Sequence, residues 1–165
     1  MTDSATPISG PRLASRQECL ARVLELLPLA RRRVEIAAAW LDPLLYDRDD
    51  VVESLRSLAV RERRARIRLL VLQPEGLEKR GHRLLDLAFR LSSFFEVRRP
   101  AEEDRSFSEA MLLVDETGWL RQPRADRHEG SVTGSDAGSA RALRLRFEEL
   151  WQRAEPLLEF RRLSL

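Results

Sequence analysis

At 165 residues, 43% of them hydrophobic and 34% charged, the chain has the size of one domain and enough apolar side chains for a core, which excludes a disordered polymer. Its 29 basic residues include a single lysine, Lys79, and 27 acidic residues bring the net charge to +2, which excludes a globally cationic binder. The lone Cys19 excludes a disulfide framework and a zinc knuckle.

Met1–Ala14 mixes Thr, Ser, Pro and Gly without periodicity and predicts a flexible tail ahead of one domain over 15–165. The start has no apolar segment of secretory type, and the longest apolar run, Ile36–Leu41, is far short of the ~18 residues of a membrane span. The reading is a cytoplasmic protein. Ser15 with Glu18 forms a capping box, and Leu20, Val23, Leu24 and Leu27 follow at helical spacing until Pro28 weakens the helix. Val34–Trp40 reads as a buried strand closed by the turn Asp42-Pro43.

Asp50 and Glu53 make a second capping box, opening a helix that carries Val51, Leu55, Leu58 and Ala59. Ile67–Leu72 is a strand, and Leu84, Leu87, Ala88 and Leu91 define another helix. Phe95 and Val97 alternate with charged residues, as in a strand with one wet face. Met111–Val114 and Trp119–Gln122 form a hairpin about Asp115-Glu116-Thr117-Gly118. Pro123–Ser139 predicts a long surface loop, Ala140–Ala154 a final helix burying Leu143, Phe147, Leu150 and Trp151, and Leu158–Leu165 an edge strand or a wrap over the core. Alternating α and β elements in the first hundred residues, followed by a hairpin, predict a three-layer α/β/α sandwich with a mixed, partly parallel sheet.

The strand ending in Val114-Asp115, its hairpin and the Phe-Glu-Glu-Leu-Trp helix resemble the phospholipase D-like fold. That family carries His-x-Lys-x-x-x-x-Asp followed by Gly-Ser-x-x-Asn, in which the histidine is the nucleophile, the lysine binds phosphate and two motif copies meet in one site. Aligned on Asp115, the histidine position is Ser108 and the lysine position Ala110; Gln122 and Pro123 replace the Gly-Ser pair and Asp126 the asparagine. The resemblance therefore implies the fold without the chemistry, that is, a non-catalytic domain with no cofactor. It also implies a homodimer as one arrangement. A closer likeness runs through Leu41–Asp47, Gly81–Leu85, Leu91–Ser93, Phe147–Trp151 and Phe160–Leu163, which resemble an uncharacterised bacterial domain found alone or behind acetyltransferase domains. The coenzyme A loop of acetyltransferases is missing, so that activity is not implied.

Ligands in an open α/β sheet gather at the carboxyl ends of parallel strands. Asp42, Tyr46, Asp47 and Arg48 follow the first such strand, and Arg80, His82 and Arg83 follow the second. His82 opens a helix, where a phosphate or carboxylate could be held with Arg80 and Arg83; alternatively its ring hydrogen-bonds a neighbouring loop. Arg121, Arg124 and Arg127 fall where the fold's active-site loop would be, and guanidinium groups grip phosphate. The candidate anion site is thus Arg80, His82, Arg83, Arg121 and Arg127.

His128 and Asp126 could form an acid–base or metal pair, or simply belong to a solvated loop; too few nitrogen donors exist to complete a metal site. The arginine runs Arg31–Arg33, Arg61–Arg64 and Arg98-Arg99 lie at element ends and read as solvated faces, Trp40, Trp119 and Trp151 as core, and Cys19 as packing. The leading expectation is a non-catalytic domain that binds nucleic acid, another phosphate-bearing ligand or a protein partner. The alternative is a divergent phosphodiesterase or hydrolase using His82 or His128 with Asp115.

Overall fold

The computed structural model of the protein describes residues 8–157. Three strands run parallel: β2 (Arg33–Ala38), β3 (Arg66–Val71) and β4 (Phe95–Arg99). Parallel neighbours need a crossover, and α3 (Asp49–Arg61) and α5 (Arg83–Arg90) provide the two. β5 (Ala110–Val114), β6 (Gly118–Gln122) and β7 (Ser131–Ser135) continue the sheet antiparallel from the other side of β2. With the edge pieces β1 (Arg12–Leu13) and β8 (Glu155–Pro156), the order is β1-β7-β6-β5-β2-β3-β4-β8.

Alternation along the strands sends Val34, Ile36, Ile67 and Leu69 to one face, where they pack with Val23 of α1 (Arg16–Leu26), Leu55 of α3 and Leu84 of α5. Ala37, Leu70, Met111 and Leu113 point the other way, against Leu143, Phe147 and Trp151 of α6 (Ala137–Arg153). This is the three-layer α/β/α sandwich with a mixed sheet that the element order predicts. Two short helices, α2 (Pro43–Tyr46) and α4 (Leu77–Arg80), follow the ends of β2 and β3.

Ser15 caps α1 by accepting from the Glu18 amide at 3.2 Å, and the Glu18 carboxylate accepts from the Ala14 amide. Pro28 ends the helix in a 3-10 turn over Leu27–Leu29. Elsewhere the structure corrects the sequence reading. Arg12–Leu13, inside the expected tail, pairs with Ser131 and Val132. The second capping box does not form: α3 starts behind Arg48, and Asp50 instead takes the Arg48 guanidinium and the Val51 amide. Trp40 is half-buried, whereas Trp119, Trp151 and Cys19 belong to the core.

The expected loop 123–139 ends at Gly130, because Ser131–Ser135 is a strand and Asp136 caps α6. The strand was hidden by composition: Gly134 is required because the Trp119 indole lies across it, so that an added Cβ would sit 2.7 Å from a ring carbon. The indole N–H in turn donates to Asp136 at 2.8 Å, tying β6 to the start of α6. The expectation for Leu158–Leu165 lies outside the described residues.

Candidate functional site

One edge of the sheet gathers the carboxyl ends of β2 and β3, the start of β5 and the end of β6, because β5 runs antiparallel to β2 and pairs Met111 with Ala37. Every degenerate-motif position except Asp115 lies at this rim. Ser108 is exposed just ahead of β5, and its carbonyl accepts from the Ala125 amide at 2.6 Å. Ala110 is buried opposite Gln122, whose amide donates to the Arg127 carbonyl at 3.2 Å. Asp126 is exposed, 3.5 Å from Arg124. These contacts fold the 123–130 loop back onto the strand ends with backbone partners.

Asp115 sits at the other end of β5, roughly 16 Å from Ala110 by strand rise. Its backbone takes φ 50°, a left-handed turn position that Asp tolerates, and its carboxylate accepts from the amides of Arg31, Arg32 and Arg33 at 2.8 to 3.0 Å. It clamps the approach to β2, remote from both histidines, so the expected pairing of Asp115 with His82 or His128 is not formed.

His82 is buried and serves as the N-cap of α5, accepting the Leu84 amide on Nδ1 at 3.2 Å. Its Nε2 lies 2.9 Å from the Leu41 carbonyl, which can only accept, so these partners assign the neutral ring with its proton on Nε2. Leu41 itself is left-handed, φ 53°, and the His82 contact helps to hold it there. The loop-bonding alternative for His82 is therefore the one observed.

His128 bonds through Nε2 to Asp42 at 2.6 Å, both side chains about four-fifths buried, and not to Asp126. The two histidines thus grip adjacent residues, Leu41 and Asp42, from α5 on one side and from the 123–130 loop on the other. Behind them the Tyr46 phenol is pushed well above its ordinary range by burial, then by Asp42 and Cys19. Burial likewise pushes the Cys19 thiol up; it lies 3.8 Å from the His128 carbonyl and is packed as an unactivated thiol. Among the described residues, no group of three or more His, Cys, Asp or Glu side chains could hold a metal ion.

The candidate anion site does not assemble as one cluster. Arg80 closes α4, and its side chain lies outside the described structure. Arg83 is taken by Asp47, through amide and carbonyl contacts at 2.9 and 3.2 Å, and lies 3.5 Å from Asp49. Arg121 pairs with Glu109 at 3.2 Å. Of the candidate arginines with described side chains, only Arg127 has no described partner. Apart from Arg127, acids offset these arginines, as Asp50 does Arg48 at 3.0 Å.

Sequence reasoning missed Asp42 as the partner of His128. It also missed a buried ion network on the α6 face. Glu35, almost fully buried in β2, lies 2.7 Å from Arg144 and 3.6 Å from Arg68, and Arg68 reaches Glu148 while lying over the Phe147 and Trp151 rings. One signal was available: Glu35 alternates with the buried Val34 and Ile36, which places its carboxylate on the α6 face.

A family model described as Domain of unknown function (DUF7931) matches residues 15–163. The chain belongs to that family. No curated protein matches it. Among solved structures, this DUF7931 member resembles TrmBL2, an archaeal chromatin protein described as showing a novel mode of DNA binding, with a TM-score of 0.67 and 16% identity over 94% of this chain and 56% of that one. It resembles Nuc from Salmonella typhimurium, a phospholipase D family member, with a TM-score of 0.56 and 9% identity over 82% of this chain and 88% of that one. It also resembles the phosphatidylserine synthase of Haemophilus influenzae, with a TM-score of 0.63 and 14% identity over 93% of this chain and 40% of that one. The domain has a phospholipase D-like fold. Among its described residues, no helix is long and apolar enough to cross a membrane.

Proposed function

We propose that this domain is a non-catalytic phospholipase D-like module that binds the phosphates of a nucleic acid. The observation that carries the non-catalytic part is the chemistry at the family-motif positions, Ser108 and Ala110. His82 commits both nitrogens to Leu41 and Leu84, and His128 commits Nε2 to Asp42. Ser108, at the nucleophile position of the family motif, is exposed with no described side-chain base bonded to it, and an unactivated hydroxyl is a weak nucleophile. Ala110, at the lysine position, has nothing with which to hold a phosphate.

Support for nucleic acid comes from the chemistry of the cations and from the likeness to the DNA-binding chromatin protein. The chain's cations are almost all guanidinium groups, which bind phosphate oxygens in pairs. Polarisation of a labelled DNA duplex tests the reading at about 50 and about 200 mM salt, because phosphate contacts weaken steeply with salt. The expected result is binding at low salt that is lost at high salt, with no turnover of a phosphodiester reporter. Absence of binding to DNA and RNA at low salt overturns the nucleic-acid reading. Turnover abolished by His128→Ala overturns the non-catalytic one.

A further inference from the structure

We infer that the phosphate backbone of a nucleic-acid duplex is gripped at the edge of the sheet opposite the degenerate motif, by Arg31, Arg32, Arg63 and Arg64. The inference rests on the proposed nucleic-acid reading and assigns its contact surface. Parallel pairing sets Arg33 beside Arg66, and the Arg66 amide donates to the Arg32 carbonyl at 2.9 Å. Just before it the Ala65 amide donates to the Glu62 carbonyl at 3.1 Å, a turn that carries Arg63 and Arg64, so the approaches to two neighbouring strands, about 4.8 Å apart, each present a pair of arginines. All four residues are exposed, and no described residue pairs with any of their guanidinium groups.

The backbone beneath them is held firmly. Asp115 takes the amides of Arg31, Arg32 and Arg33, the Arg61 guanidinium donates to the Ala30 carbonyl, and Glu62 accepts the Arg64 amide at 2.9 Å. Charged heads on a fixed scaffold lose little backbone freedom on binding, which favours affinity. The nearby acids are otherwise engaged: Glu116 with Arg33 at 2.9 Å, and Glu96 with Arg98 at 3.1 Å and Arg66 at 3.8 Å. Asp115 and Glu62 spend their carboxylates on backbone amides, so Arg31, Arg32, Arg63 and Arg64 against these two acids leave a local excess of positive charge, although the whole chain is nearly neutral.

The stretches 29–33 and 60–66 contain no aromatic residue, so the surface offers nothing for unpaired bases to stack upon. It suits backbone phosphates read without regard to sequence. Leu29 and Val60 also stand exposed beside the arginines, at 65% and 74%. Exposed aliphatic side chains near cations are also a feature of anionic-bilayer contacts, which makes vesicles a necessary arm of the test.

The experiment measures duplex binding by the full chain at low salt for the wild type, for Arg31→Glu/Arg32→Glu/Arg63→Glu/Arg64→Glu, and for the motif-rim variant Arg124→Glu/Arg127→Glu. Circular dichroism checks that each is folded, and the four Arg→Ala replacements serve where charge reversal disturbs folding. The expected result is a loss on the order of tenfold or more for the first variant, near-wild-type affinity for the second, and a smaller but clear loss for the alanine set. Leu29→Ser/Val60→Ser leaves duplex binding unchanged. Wild-type binding that survives the four reversals in folded protein overturns this assignment alone, whereas failure of the wild type to bind overturns the nucleic-acid reading with it. Association with phosphatidylserine vesicles that depends on Leu29 and Val60, without duplex binding, overturns both in favour of a bilayer.

Discussion

The two ends of the sheet are built from the same residue types and put to opposite uses. At the motif rim, histidines and carboxylates pin loops together: His82 holds Leu41, His128 holds Asp42, and the Arg83 and Arg121 guanidinium groups are matched by Asp49 and Glu109. At the far end, Asp115 spends its carboxylate on backbone amides, and two of the three arginines it orders, Arg31 and Arg32, keep their heads in solvent, while Arg33 pairs with Glu116. A charge that is paired serves the fold. A charge whose backbone alone is fixed remains available to a ligand. The resemblance to an enzyme family directs attention to the first end, and the distribution of unpaired charge directs it to the second.

The comparison can be strained first through the buried network on the α6 face. Glu35→Ala leaves Arg144 and Arg68 facing a buried site without its carboxylate, and breaking such a pair costs about 3–5 kcal/mol, read in urea unfolding. Asp115→Ala removes three amide partners at the far end, for a loss on the order of 3 kcal/mol, and it weakens duplex binding by loosening the arginine loop. His82→Ala at the motif rim costs roughly 2 kcal/mol through the lost α5 cap and the orphaned Leu41 carbonyl, yet it leaves duplex affinity unchanged once the protein is folded.

The smallest effect expected is on pH dependence. The Ser139 amide and hydroxyl, and then the Trp119 indole, hold Asp136 below the usual carboxylate range. A carboxylate with a lowered folded pKa adds stability that is complete above its unfolded value, near ~4, and is lost as pH falls through the folded value. Asp136→Asn keeps a cap while removing the titration, so its stability falls less steeply than wild type below about pH 4. Equal acid limbs in pH-dependent unfolding contradict this assignment.

Much of the fold was legible because it follows local rules. Short apolar runs located β2, β3 and β5, alternation of Phe95 and Val97 with charged residues located β4, and Ser15 with Glu18 marked the start of α1. β7 was not legible, since Ser131–Ser135 earns its place through backbone pairing and through the space Gly134 leaves for Trp119. The site was less legible for a related reason. His128 and Asp126 are near in sequence, but the bond that forms is to Asp42, across the whole sheet in chain order. The arginine runs at 31–33 and 61–64 read as solvated ends one at a time. Only the parallel register of β2 and β3 shows that two of them lie side by side.

The most direct test of the account is the salt slope of duplex binding, compared between wild type and Arg31→Ala/Arg32→Ala/Arg63→Ala/Arg64→Ala. Each phosphate contact contributes about one unit to the slope, so the account predicts a fall of about three to four units for this variant and little change for Arg124→Ala/Arg127→Ala. An unchanged slope for the four-arginine variant, or a matching fall for the motif-rim pair, contradicts it.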